Sequence, residues 1–117
     1  MNAPPTEKRN VMLLANTQVS FQKTEKTFES AARLFRVLSS PTRLKILHCL
    51  CNGEENVGQL VGAIQTSQPN MSQHLNALFQ AGILGKRRVG TQILYHVMDV
   101  RIVAISEDIC RLHQALP

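Results

Sequence analysis

The apolar positions of this chain change period along its length, and the changes mark out its elements. Between about Lys23 and Leu38, Phe28, Ala31, Ala32, Phe35 and Leu38 repeat at three- and four-residue steps, which puts them on one stripe of a helix. Ser40 followed by Pro41 is a cap and first-turn signal. The helix it opens is predicted to run through Cys51, with Leu44, Leu47 and Cys51 on one side, flanked by Ile46 and Leu50. Lys45, His48, Cys49 and Asn52 fall roughly opposite, and Asn52-Gly53 ends the element. Val57 to Ile64 reads as a short third helix. A fourth follows Ser67, with Pro69 in its first turn and Met71, Leu75 and Leu78 at i, i+4 and i+7. Gly82 stops it as a left-handed cap.

The period then shortens to two. Ile83 to Arg88 and Gln92 to Val97 read as strands around Val89-Gly90-Thr91, with Ile93, Tyr95 and Val97 alternating with Gln92, Leu94 and His96. Gly90 supplies the turn. A fifth helix from about Asp99 to Leu116 carries Ile102, Val103, Ile105, Ile109, Leu112 and Leu116, more apolar surface than one small core can cover. Residues 1–20, with Ala3-Pro4-Pro5 and Lys8-Arg9-Asn10, read as a flexible arm, and 21–117 as one domain. The predicted class is mainly α with a small β-hairpin, in the order α-α-α-α-β-β-α.

Opposite its apolar stripe, the fourth helix presents Pro69, Gln73, Asn76 and Gln80, with Asn70 and Ser72 at the edges. A merely solvated helix face tends to carry Lys and Glu pairs. Amides and hydroxyls instead both donate and accept, as base edges in a major groove require. Lys86, Arg87 and Arg88 put three cations on the adjoining hairpin, where they can meet phosphates. The 117 residues hold 13 Lys plus Arg against 8 Asp plus Glu, a net charge of +5. From Asn56 to Met98 there is no acidic residue, so the candidate DNA face reads as free of groups that repel phosphate.

The chain resembles the ArsR/SmtB family of bacterial repressors. The matching residues are Leu38-Ser39-Ser40-Pro41-Thr42-Arg43-Leu44-Lys45-Ile46-Leu47, Val57-Gly58-Gln59-Leu60, Ser67-Gln68-Pro69-Asn70-Met71-Ser72-Gln73-His74-Leu75, and Gly82-Ile83-Leu84 leading to Arg87-Arg88, Gly90 and Tyr95. The resemblance implies a dimeric winged helix-turn-helix, joined mainly through its first and last helices, that leaves a roughly palindromic double-stranded operator when an inducer arrives. It makes Gln68, Ser72 and Gln73 the first candidates for base contacts, within the wider set Gln68, Pro69, Asn70, Ser72, Gln73 and Asn76. Lys86, Arg87 and Arg88 are expected at the backbone or minor groove. For His74, a structural role and a DNA contact stay open. Phe79 stands where a basic residue is often found.

The inducer is unresolved between reactive sulfur, an oxidant and a metal ion. Relatives that bind metal through the third helix need a thiolate pair near Gly58, and this chain has none. Relatives that bind zinc between their last helices need four ligands; Asp99 fits the first position, but Arg101, Leu112 and Ala115 occupy the others. No metal ligand and no cofactor are therefore assigned. A third branch senses reactive sulfur or oxidants through one cysteine on the second helix and one on the last. Cys49 and Cys110 lie on those helices, although His48 stands where the first thiol is usual and Cys110 comes about one turn early. The alternative is that the thiols are small packing residues, as Cys51 on the core stripe is read to be.

No Gly-rich phosphate loop, metal-binding histidine pair or nucleophile-base constellation points to an enzyme. No apolar run has the roughly 18 residues of a membrane span, and the three cysteines fit a reducing cytoplasm. The competing reading from another class is a protein-interaction module that kept the fold without binding DNA.

Overall fold

A computed structural model describes residues 25–115. They form α1 (Glu25–Leu38), α2 (Pro41–Leu50), α3 (Val57–Ile64), α4 (Gln68–Gln80), β1 (Leu84–Val89), β2 (Gln92–Val97) and α5 (Val100–Ala115). The expected arm at 1–20, Lys23 and Leu116 lie outside the described residues. The chain separates into two units divided at Phe35, within α1. In residues 25–35 the helix is amphipathic, with Phe28 and Phe35 both more than half exposed.

Residues 36–115 hold the core. Its fully buried apolar side chains include Ile46 and Leu47 of α2, Leu60 of α3, and Met71, Leu75 and Leu78 of α4. The helix starts are fixed by side chains that take up otherwise orphaned N–H groups. Ser40 Oγ accepts from the Arg43 amide at 3.3 Å, and Ser67 Oγ from the Asn70 amide at 3.2 Å. Asn56 and Gln59 form a reciprocal capping box, both bonds at 2.8 Å. Three residues, Gln65-Thr66-Ser67, separate α3 from α4, and Gln65 turns the chain with φ of +60°.

The end of α4 sets the position of the hairpin. The Gly82 amide donates to the Phe79 carbonyl at 3.0 Å and the Ile83 amide to the Leu78 carbonyl at 3.0 Å. That pair of bonds is a Schellman motif, and Gly82 has the left-handed φ of +78° it needs. Ile83 is thereby turned into the core, 3% exposed, and leads into β1. The strands pair antiparallel from Leu84↔Val97 to Val89↔Gln92 across a two-residue Gly90-Thr91 turn. Val89 belongs to β1 rather than to the turn. Ile93 through Val97 are all half-buried, so the expected alternation of covered and bare positions is blunted. One cause is that Glu55 pairs with Tyr95 on the outer edge of β2.

The orientation of α2 differs from the expected one. Its buried residues are Ile46, Leu47 and Leu50, while Leu44 is half-buried and Cys51 is exposed. Cys51 is the C-cap, where the chain has already begun to leave the helix, so extending the periodicity through it fails. Its packing role is therefore withdrawn.

Replacing Gly82 by Ala should lower stability by about 1–2 kcal/mol, because a left-handed L-residue is strained, while an added Cβ meets nothing within 4 Å. Urea melts of Gly82→Ala and the milder Gly82→Asn test this. An unchanged midpoint for the alanine variant would mean that the cap conformation is not required.

Candidate nucleic-acid interface

With Met71, Leu75 and Leu78 wholly buried, the remaining surface of α4 has no choice of direction. Gln68, Pro69, Asn70, Ser72, Gln73, Asn76 and Gln80 are all exposed. The face carries no charge, and its hydrogen-bonding groups are open to a partner apart from Asn70, whose Nδ2 donates to Thr66 Oγ1 at 2.7 Å.

His74 faces sideways and is held. Arg43 Nε donates to His74 Nδ1 at 3.1 Å, and another Arg43 nitrogen donates to the Val37 carbonyl at 3.0 Å. One guanidinium thus ties the last turn of α1 and the start of α2 to the middle of α4. An accepting Nδ1 requires the neutral ring with its proton on Nε2. Burial and the Arg43 charge both push the His74 pKa below its ordinary value. The structural role is the one observed for His74, and Arg43 is a residue that sequence reasoning passed over.

The three wing cations do not act on one side. Strand geometry alternates faces, so Lys86 and Arg88 share one side of the hairpin with their partners Tyr95 and Ile93, and Arg87 takes the other with Leu94 and His96. The Lys86 ammonium lies 4.4 Å from the Phe79 ring centroid, a cation–π contact with the last turn of α4. The position that lacks a basic residue in α4 is therefore served by a cation from β1.

Arg87 is engaged. Its Nε donates to Glu54 Oε2 at 2.8 Å and Oε1 at 3.0 Å, and its Nη2 to Oε1 at 2.8 Å. These bonds hold the Glu54 carboxyl below the usual carboxylate range. His96 Nδ1 sits 3.6 Å from Glu54 Oε2 and is buried without a hydrogen-bond partner. Its ring covers Gly85, where an added Cβ would come within 2.5 Å of Nε2. The expectation of an acid-free DNA face is corrected here: Glu54 lies just outside the acid-free stretch, and the Glu55–Tyr95 pairing lays it against the wing. That backbone bridge left no mark in the hydrophobic pattern.

Cys49 and Cys110 both line one cavity of about 430 Å³ between α2, α3 and α5, with Leu44, Ala63 and Ile64 as its apolar lining. His48 Nδ1 and Glu107 Oε1, 2.9 Å apart, join α2 to α5 beside it. Cys49 is half-buried and Cys110 exposed. Burial first, then the charges of Glu55 and Cys51, push the Cys49 thiol up, which leaves it mostly protonated and a poor attacking group at neutral pH. Among the described residues, no three His, Cys, Asp or Glu side chains gather as a metal site. Asp99, the one residue in a zinc-ligand position, is instead bound by Arg101 at 2.6 Å and its carboxyl is lowered to about 2.

Residues 40–86 match a family model described as bacterial regulatory protein, arsR family. The chain is 39% identical over 79 residues to an HTH-type transcriptional regulator of Methanocaldococcus jannaschii, a match spanning 67% of this chain and 89% of that one. It is 35% identical over 83 residues to a biofilm growth-associated repressor of Agrobacterium fabrum, spanning 71% of each. The solved structure of reduced HlyU from Vibrio cholerae superposes with a TM-score of 0.69 at 31% identity, over 78% of this chain and 96% of that one.

The neutral His74 ring gives a pH prediction. Its folded-state pKa lies below the ordinary 6.5, so its contribution is complete above that value and is lost as pH falls through the depressed pKa. Between about pH 8 and about pH 5 the thermal midpoint should fall more for the parent than for His74→Gln, whose amide does not titrate. Parallel curves for the two proteins would remove His74 from the acid response.

Proposed function

This chain belongs to the arsR family of bacterial regulatory proteins, and we propose that it is a homodimeric, sequence-specific transcriptional repressor that acts in the cytoplasm. The observation that carries the reading is the uncharged, hydrogen-bonding face of α4 beside a hairpin bearing Lys86 and Arg88. Gln68, Ser72 and Gln73 read base edges, while Pro69, Asn70 and Asn76 line the same approach. Lys86, Arg87 and Arg88 bind the phosphate backbone. The dimer is supported by Ile105, Ile109 and Leu112, which are 45%, 46% and 58% exposed and share one side of α5. A two-fold pair sets its reading helices in successive major grooves, about one helical turn or roughly 34 Å apart.

Inducer action is read at Cys49 and Cys110, because both thiols line the same cavity. The exposed Cys110 is the first to meet a persulfide or peroxide; Cys49, whose thiol is pushed up by burial, lines the same cavity and closes the pair more slowly. Loss of the reduced pair moves α5 relative to α2 and with it the spacing of the two reading helices.

Fluorescence anisotropy on the chain's natural upstream DNA, over a salt series, tests the repressor. Affinity should fall steeply with salt. Gln73→Ala should cost about 1–3 kcal/mol on that duplex and little on a generic one. Arg88→Ala should weaken both alike and lower the salt slope by about 0.9. No binding, or binding indifferent to salt, would favour the interaction module. For the inducer, persulfide or peroxide should release DNA from the parent but not from Cys49→Ser or Cys110→Ser. Release by zinc or arsenite with both variants still responding would move the assignment to a metal ion.

A further inference from the structure

Arg87 enters DNA binding with its hydrogen-bonding edge already taken. The Nε–H and Nη2–H that face Glu54 are the fork with which a guanidinium grips a phosphate. A carboxylate and a phosphate cannot occupy that edge together. Arg87 is also turned to the opposite face of the hairpin from Lys86 and Arg88, and Glu54 determines whether this fork is available. The backbone bridge from Glu55 to Tyr95, at 2.9 and 3.2 Å, keeps the carboxylate in place. On release Glu54 has somewhere to go, since it stands on the wall of an open cleft of about 630 Å³ shared with His96, Val100 and Val103.

We propose that Glu54 is an intramolecular stand-in for phosphate, a positioning residue that occupies Arg87 in the free protein and is displaced by the DNA backbone. The inference rests on the DNA-binding reading and adds a consequence which that reading alone does not give. When an ordinary surface cation meets a phosphate, a counterion leaves the DNA, and each such contact adds about 0.9 to the salt slope. When Arg87 does so, the vacated carboxylate collects a cation of its own. Net release from that contact is close to nil, so Arg87 contributes to contact geometry and little to the salt dependence. Glu54 thereby lowers affinity for any duplex and keeps non-specific binding weak.

The test uses the full chain and two probes, the natural upstream duplex and a short generic duplex, in anisotropy titrations over a salt series. Glu54→Gln should bind both about two- to five-fold more tightly at low salt, the scale of an exposed ion pair, with a slope steeper by about 0.9. Glu55→Gln changes the net charge identically without touching Arg87 and should show a smaller gain. In an Arg87→Ala background the Glu54→Gln gain should vanish, and Arg87→Ala alone should barely move the parent's slope. Equal behaviour of Glu54→Gln and Glu55→Gln, or a gain that survives in the Arg87→Ala background, overturns the role of Glu54 while leaving the repressor intact. Failure of the parent and every variant to bind either duplex overturns the repressor and this inference with it. Glu54→Ala, which removes the amide as well, should reproduce the gain, and matching thermal midpoints separate these effects from misfolding.

Discussion

The burial of Met71, Leu75 and Leu78 is the constraint on which the rest of the structure depends. These side chains are 0% exposed, and each contributes roughly 1.5–3 kcal/mol of transfer free energy. Because residues on a helix advance by about 100° each, fixing three of them at i, i+4 and i+7 fixes the direction of all thirteen. The amide face has no independent means of pointing outward; it is outward because the other side is committed. The caps act in the same sense. Ser67 sets where the helix begins and the Gly82 turn sets where it ends, so the register of the buried stripe and the position of the hairpin are decided within one continuous segment.

Charge is then distributed over this frame in three distinct ways. The Arg43 cation is internal, bonded to His74 and to the Val37 carbonyl, and serves as a strut under α4. Lys86 keeps its charge at the surface but is steered by the Phe79 ring, so a strand residue covers the end of a helix. Arg87 is held by the Glu54 carboxylate. Among the described residues, neither Lys86 nor Arg88 makes an ion pair, and Arg88 has no ring contact either. Net charge alone ranks these four residues as equal, yet their geometry gives them separate tasks.

Local patterning accounts for what the sequence made legible. The bounds of α3, the stripe of α4, the stop at Gly82 and the hairpin within one residue all follow from contacts between positions close in the chain, where period and cap chemistry are decisive. What escaped was through-space. Arg43 and His74 are 31 residues apart and Arg87 and Glu54 are 33 apart, and no hydrophobic period reports on polar pairs of that kind. The acid-free stretch begins two residues after Glu54, so a linear window separated a carboxylate from the cation it binds. Cys51 failed for another reason: the period was carried one residue past the end of the helix, and the buried stripe runs through Ile46, Leu47 and Leu50 instead. That Cys49 and Cys110 fall on helices that pack together was legible, while the raised Cys49 thiol depends on burial and on Glu55, which a helical wheel does not register.

The last helix joins the two halves of the proposed mechanism. Ser106, Glu107 and Cys110 of α5 face the cavity against α2 and α3, while Ile105, Ile109 and Leu112 lie on another side and are open. Among the described residues, the one buried side chain of α5 is Ser106, whose hydroxyl donates to the helix's own Val103 carbonyl at 2.9 Å, and the His48–Glu107 bond to α2 is made by exposed side chains. In the proposed mechanism, a change in the chemistry of the cavity wall moves this helix. If its open apolar side is the dimer contact, any such movement is passed to the partner, where a rigid buried stripe in each α4 converts it into a change of spacing between reading helices. In that mechanism the buried stripe of α4 and the open side of α5 are complementary: the reading helix keeps its face while the last helix moves.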